Sequence, residues 1–548
     1  MNPWCPPRAG AAAVALCGAA LLLAACAAPG PMPPGRALAD PVQWGATPAR
    51  PVTAPVPAGA LAASVPGAVS ESTLPDGAYP WPAARWWATY GDTQLDRLVD
   101  LALSAQPTLA QAQARIEQAR AAVAATEAAH GPQVALSADV TGQRFSRNGL
   151  VPPAVAGTNR WTAGAQLGAH WELDLFGRQR AQVEAAIGRQ RAAQVEGQAA
   201  RVLLASQVVS AYLELARLMA QQQAADTAVH LRGQALTLAR QRLEAGLDRA
   251  DELRRAQAAL AQAQREHAQL AEAAVRARHA LAELAGQGPR ALAALAPVLP
   301  DRAASALPDT LPADLVGRRA DLVAQRWRVE AAWRDIDVAR AEFHPNLNLM
   351  GFLGLSSLGL DRFLQAGSLT YGAGPALRLP IFDSGRLQAQ LGERGAQADA
   401  AVEAWNTTLL RALREVADEV EGLRAVAQQR QLQRQAQAAA DAALELVQQR
   451  RRAGLSGLGP ELAARVQQLV EHRAALDLQA RQALGQAALA RALGGGWVDD
   501  LAGPSARRAA SPASAAHERT RSAASINADA TGATGIGTAT APAPGASR

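Results

Sequence analysis

Residues 160–176 leave this chain little freedom in what it can become. The odd positions, Trp161, Ala163, Ala165, Leu167, Ala169, Trp171, Leu173 and Leu175, are all apolar. The even ones, Arg160, Thr162, Gly164, Gln166, Gly168, His170, Glu172 and Asp174, are polar or glycine. Successive side chains of a pleated strand point to opposite faces, so one face is greasy throughout and the other wet or bare. At about 3.3 Å per residue the run reaches roughly 50 Å, far longer than a strand in an ordinary soluble sheet. A tilted strand crosses a bilayer in about 9–11 residues. The pattern returns at 368–381, where Leu369, Tyr371, Ala373, Pro375, Leu377, Leu379 and Ile381 alternate with smaller or polar residues. Each run turns, at Phe176-Gly177 and at Phe382-Asp383-Ser384-Gly385, into a long helical stretch.

Around these runs the chain reads in order. Residues 1–25 carry Arg8 and then an apolar run ending Leu23-Ala24-Ala25-Cys26, a secretory signal whose end resembles a bacterial lipobox and marks Cys26 for lipidation, the competing reading being ordinary cleavage near Ala25 or Ala27 with Cys26 incidental. Resemblance to sorted lipoproteins makes Ala27 and Ala28 the address of the outer membrane. Residues 26–85 are proline-rich and aperiodic, an extended tether. Order begins at Trp86-Trp87 and Gly91-Asp92. A helix from about Thr108 is stopped by Gly131-Pro132, and Val134, Leu136, Ala138 and Val140 then begin a hairpin with a long tip at 146–159. From Arg178 to about Ala245 the chain reads as two antiparallel helices turning near 217–225, followed by a break at Gly246 and another helix to Leu284. Past the N-terminus no stretch reads as a membrane helix, so any crossing is made by strands.

The formal charge is +6, yet the chain has no lysine. Arginine alone, in an alanine-rich chain without an aromatic and basic cluster, does not read as a nucleic-acid surface. The three cysteines all lie within the first 26 residues, so the body holds neither disulfide nor thiolate metal site. Scattered histidines and a Gly454–Gly459 run that follows no strand supply no cofactor or nucleotide site. The chain does not read as an enzyme.

The second half copies the first. Leu322 follows Leu109 by 213 positions and Pro345 follows Pro132 by the same number. Phe382 follows Phe176 by 206, and Gly454 follows Gly246 by 208. Helix, proline stop, hairpin, long helix and glycine break recur in one order. Each copy supplies two strands, and four strands cannot close a barrel in lipid without leaving backbone groups unpaired, so closure needs more than one chain.

Trp86-Trp87…Gly91-Asp92…Leu95, Trp171-Glu172-Leu173-Asp174-Leu175-Phe176-Gly177, Arg242…Gly246, Phe343-His344-Pro345 and Leu379-Pro380-Ile381-Phe382…Gly385 together resemble the TolC-like outer-membrane efflux proteins, on the lipoprotein branch that serves RND multidrug pumps. The likeness covers about 86–497. It implies a mainly α fold with a transmembrane β portion: a homotrimer whose four strands per protomer complete a twelve-stranded barrel in outer-membrane lipid, above a long antiparallel helical tunnel through the periplasm. It also implies a periplasmic adaptor and an inner-membrane RND or ABC pump as partners. Domain limits follow as 86–290 for the first repeat, 291–312 for a connector, 313–498 for the second repeat and 499–548 for a disordered tail.

In a passive duct the chemistry lies in what lines its narrow points. Glu415, Asp418 and Glu421 stand three apart toward the far end of the second long helix, and the positions 208 earlier are Gln207, Ser210 and Leu213, so the acidic line is unique to one copy. Asp418, with Glu415 or Glu421, is the candidate periplasmic gate, tied when closed by Arg424 or Arg217. The competing reading is a solvated helix face. Gly246 and Gly454 are candidate bends between the tunnel helices and a belt around their middle, or plain helix ends. Two other functions compete: a type I secretion or metal-efflux duct with the same body, and a lipid-anchored coiled-coil scaffold without a pore, which accounts for Arg178 to Ala285 but leaves the four alternating segments unexplained.

Overall fold

The computed structural model describes residues 35–44, 81–301, 315–383 and 385–497. Cys26, the signal segment and residues 499–548 lie outside the described residues. The elements are α1 (Thr93–Ala105), α2 (Pro107–Ala129), β1 (Gln133–Arg144), β2 (Asn159–Leu173), α3 (Arg178–Glu244), α4 (Ala250–Leu284), α5 (Ala320–Ala341), β3 (Asn346–Leu358), β4 (Leu369–Arg378), α6 (Arg386–Arg452) and α7 (Leu458–Ala492). The fold is predominantly helical with one small antiparallel sheet.

That sheet has the order β1-β2-β3-β4. Its register places Leu136 opposite Leu167, Leu167 opposite Leu353, and Leu353 opposite Tyr371. Residues directly opposite share a face, so the period-two patterns of β1, β2 and β4 fall in phase, and β3 joins them on the apolar face through Leu347, Leu349, Leu353 and Leu355. The apolar face is open: Leu136 is 73% exposed, Trp161 56% and Tyr371 76%. β2 and β4 stop short of the expected ends at Phe176 and Ile381. Asp174 instead turns back to accept hydrogen bonds from the backbone N–H of Gln179 (3.1 Å) and Arg180 (2.9 Å). Asp383 likewise accepts from Gly385 (3.1 Å) and Leu387 (2.9 Å). Each carboxylate covers free N–H groups at the positive end of a helix, and each helix is preceded by a left-handed glycine, Gly177 (φ 75°) or Gly385 (φ 83°), which needs no Cβ clearance.

The expected turn near 217–225 does not exist. α3 is a single helix of 67 residues, matched by 67 in α6, while α4 and α7 have 35 each. Residues 217–225 contain neither glycine nor proline, so nothing breaks the helical hydrogen bonds there. At 1.5 Å per residue each long helix spans roughly 100 Å. One window of α3 is apolar enough to cross a membrane, contrary to the sequence reading, but 56% of it is buried among the helices and it serves as core.

The main core sits around the middle of α3, where Leu204, Val208, Tyr212 and Leu215 meet Trp86, Trp87, Leu95 and Val99. The Tyr212 hydroxyl donates to Asp92, which also caps α1 through Gln94 N–H (2.8 Å). Burial, reinforced by that carboxylate, pushes the Tyr212 hydroxyl's pKa well above its usual value. A second core runs along α6 through Val402, Trp405, Leu409, Val416 and Leu423.

Part of the expected tether is fastened to that helix. Arg36 N–H donates to Asp399 (2.7 Å), Ala39 N–H donates to Asn406 (2.9 Å), and the Arg36 guanidinium pairs with Glu403 (3.3 Å). Leu38 and Ala39 pack against the second core. Residues 35–44 therefore form a strap, not a free linker.

Candidate functional site

Three places could govern passage through this molecule: the faces of the sheet, the joints halfway down the helices, and the far hairpin turns. The sheet's second face carries Gln133, Ser137, Asp139 and Thr141 from β1, Gln166, His170 and Glu172 from β2, and Asn346 and Asn348 from β3. One face thus suits hydrocarbon and the other suits water. Where the strands enter the helices, a cleft of about 510 Å³ is lined by Glu172, Phe176, Arg178, His344, Arg378 and Arg386. Arg178 donates to Glu172 through Nε (3.2 Å) and Nη2 (2.5 Å). The Phe176 ring stacks on His344 with centroids 4.7 Å apart. Its counterpart Phe382 is 88% exposed.

Short helices abut end to end alongside each long one. The start of α2 meets the end of α4, where Gln106 Nε2 donates to the carbonyls of Glu283 (2.9 Å) and Leu284 (3.2 Å). The start of α5 meets the end of α7 in the same way, and Arg319, 213 positions after Gln106, donates through Nη1 to the Ala492 carbonyl (3.1 Å). Arg319 is 5% exposed. It also donates to Asp321 twice (3.1 and 2.7 Å) and to Glu415 (3.0 Å), while Arg491 reaches the same Glu415 oxygen at 3.4 Å. Burial alone would pull the Arg319 guanidinium's pKa down; its bonds to Asp321 and attraction to Glu415 outweigh that and hold it up.

This joint explains part of the acidic line. Glu415 turns into it with its side chain 18% exposed. Asp418 is open and pairs with Arg414 one turn back (2.6 Å), and Glu421 pairs with Arg424 (2.6 Å). Arg217, offered above as a tie to that line, instead joins Glu214 (2.7 Å) and Asp477 on α7 (2.9 Å), which hold its pKa above the usual range despite burial. The three carboxylates lie near the middle of α6, not toward its far end, since a 67-residue helix replaces the shorter one expected. Glu419, which the sequence reading passed over, lies one turn beyond Glu415. Burial raises its pKa, with Asp418 and Glu415 adding to the effect and Arg491 opposing it. Arg319 was also missed, although its position in the repeat and the Arg319-x-Asp321 spacing carry a signal.

Gly246 and Gly454 are left-handed residues immediately after the C-caps Ala245 and Ala453, at the turns joining α3 to α4 and α6 to α7, with φ of 72° and 73°. Leu247 N–H returns to the Arg242 carbonyl and Leu455 N–H to that of Arg450, both at 2.8 Å, a Schellman closure. These turns lie roughly 100 Å from the sheet by helical rise, not at a belt around the middle. Leu247 and Leu455 are 69% and 80% exposed there. The second hairpin is held by Glu461, 3% exposed, between Arg451 and Arg465; those arginines hold its pKa down.

The model of the outer membrane efflux protein family matches this chain twice, over residues 98–287 and 311–495. The fusaric acid resistance protein FusA of Burkholderia cepacia is 38% identical over 321 residues, 58% of this chain and 60% of that protein. The multidrug resistance outer membrane protein MdtQ of Escherichia coli O157:H7 is 31% identical over 447 residues, 80% of this chain and 93% of its own length. Among solved structures, the outer membrane protein VceC of Vibrio cholerae superposes with a TM-score of 0.68 at 33% identity, covering 76% of this chain and 99% of VceC. With its repeated strand-to-helix architecture and these matches, the chain belongs to the outer membrane efflux protein family, and it is an outer-membrane protein with efflux-channel function.

Proposed function

We propose that three copies of this chain close a twelve-stranded barrel in the outer membrane and continue below it as a helical tunnel. The tunnel passively conducts drugs or other small molecules from an inner-membrane RND or ABC pump and its periplasmic adaptor to the exterior. The observation that carries this is the sheet: one face apolar and open, the other polar, with the outer edges of β1 and β4 unpaired among the described residues. In lipid each unpaired backbone group costs several kcal/mol, and pairing β4 of one copy with β1 of the next removes the edges. Helices of 67 residues need equally long neighbours, which the same symmetry supplies. The hairpin turns at Gly246 and Gly454 are the end that faces the adaptor. Lipid on Cys26 and the strap at 35–44 hold the assembly to the membrane. Asp418 and Glu421, with Arg424, form the gating ring of the tunnel, and Glu415 supports it from behind. Domain limits stand at 86–290 and 313–498, joined by 291–312.

Purified protein reconstituted in a planar bilayer tests this. Discrete channel openings, with heat-modifiable migration on gels, are the expected result; an intact, outer-membrane protein that never conducts would favour an anchored scaffold.

A further inference from the structure

Large apolar side chains are concentrated on the lipid-compatible face of the sheet. On the polar face β3 breaks the rule: Met350 and Phe352 stand there, 55% and 42% exposed, with Leu358 at the strand's outer end. The register shows what surrounds them. Phe352 lies opposite Gly168 on β2 and opposite Gly372 on β4; Met350 lies opposite His170 and Gly374. The next residue along β3 on this face is Gly354. Phe352 thus rises from a floor of bare backbone, and its ring leans over Gly372 so closely that a Cβ there would come within 2.7 Å of it.

An aromatic ring covering a cross-strand glycine has a structural use, and Trp161 serves it over Gly142, whose added Cβ would meet the indole at 3.2 Å. Trp161 does so on the apolar face, where its own exposed surface meets lipid. Phe352 does so on the polar face, where its exposed surface meets water and gains nothing from the membrane. Glycine at three of the four neighbouring sites, Gly168 and Gly372 across the strands and Gly354 along β3, keeps the ring accessible, where side chains would bury it; Met350 fills the fourth.

We infer that Phe352, backed by Met350, is the specificity-determining side chain of the strand portion of the conduit, giving apolar and aromatic solutes a contact that hydrophilic ions do not receive. The inference rests on the trimeric channel reading, which makes this face the lumen. In that barrel equivalent rings are four strands apart, about 19 Å along the wall. They make three separate apolar patches and not a plug, so the open channel stays wet while an aromatic solute finds a place to pause. Contact with one ring is expected to be worth about tenfold in affinity.

The test is single-channel recording of the full-length purified protein with tetraphenylphosphonium as the aromatic probe and tetramethylammonium as the hydrophilic control. Tetraphenylphosphonium is expected to reduce wild-type current, and Phe352→Ser to raise its half-blocking concentration about tenfold with unblocked conductance unchanged. Tetramethylammonium is expected to behave alike on both. Should Phe352→Ser fail to assemble, Phe352→Leu keeps apolar cover over Gly372 without the aromatic face and is expected to weaken block severalfold. Block unchanged in a conducting variant, or absent from a conducting wild type, overturns the assignment. A wild type that does not conduct at all refutes the channel reading instead.

Discussion

Replacing Arg319 by methionine should destabilise the protein by about 3 kcal/mol, while the matching change in the first repeat, Gln106→Met, should cost only about 1 kcal/mol. Methionine keeps most of the apolar stem and removes every donor. Two of the lost hydrogen bonds go to Asp321, whose side chain is 41% exposed and rehydrates, so they contribute little. The other two matter more. Glu415, 18% exposed, is left with Arg491 at 3.4 Å as its paired cation, and the Ala492 carbonyl loses the donor that covers the end of α7. Breaking a fully buried pair costs about 3–5 kcal/mol, and the partial exposure of Glu415 places this one at the low end. Gln106 gives up only neutral amide bonds to two carbonyls, each worth about 0.5–1.5 kcal/mol before water replaces them. Denaturant unfolding of the detergent-solubilised protein, followed by helical circular dichroism, measures both. Arg319→Met with Glu415→Leu should recover to within about 1 kcal/mol of wild type, because an apolar pair replaces an orphaned carboxylate. If Arg319→Met costs no more than Gln106→Met, or if the double variant shows no recovery, the ionic joint does not hold the two helices together as reasoned.

Three further outcomes follow from the same geometry. Because Glu419 has a raised pKa, the folded state keeps its proton to higher pH than the unfolded chain does, so its contribution to stability falls as pH rises from the ordinary 4.5 through the raised value. Glu419→Gln should therefore match wild type in acid and exceed it in stability at neutral pH, as a pH series of melting curves would reveal. Gly246→Ala and Gly454→Ala should each cost about 1–2 kcal/mol from left-handed backbone alone, since no atom beyond the adjoining residues lies within 4 Å of the added methyl; equal melting temperatures would contradict this. Asp418→Ala and Glu421→Ala should lower the cation preference of single channels, and unchanged conductance and selectivity in both would remove them from the gate.

Much of the architecture was legible because it is written in short-range pattern. Alternation in 160–176 and 368–381 identified the faces of β2 and β4, Pro132 and Pro345 marked the ends of α2 and α5, and constant offsets between landmarks revealed the duplication. The misplaced turn near 217–225 is instructive, because the residues there are good helix formers and argued for continuity; the error came from assuming an ordinary helix length. Partnerships across the chain were not legible. Glu415 looks like Asp418 and Glu421 until Arg319, 96 residues earlier, is seen beside it. Proline density likewise hid the strap at 35–44, since its anchors Asp399 and Asn406 lie on a distant helix. Gly246 and Gly454 were recognisable as breaks, but whether a break lies midway or at the tip depends on total helix length.

Matching lengths of 67 and 67, and of 35 and 35, have a bearing on how such a chain can change. Deleting one residue from α3 alone would swing every later side chain by about 100° and draw that hairpin back by about 1.5 Å, misaligning it against its unedited twin. The two halves act as a pair of rulers cut to the same mark: shortening or extending the reach of the helices requires the same edit in both, in units that restore the helical phase.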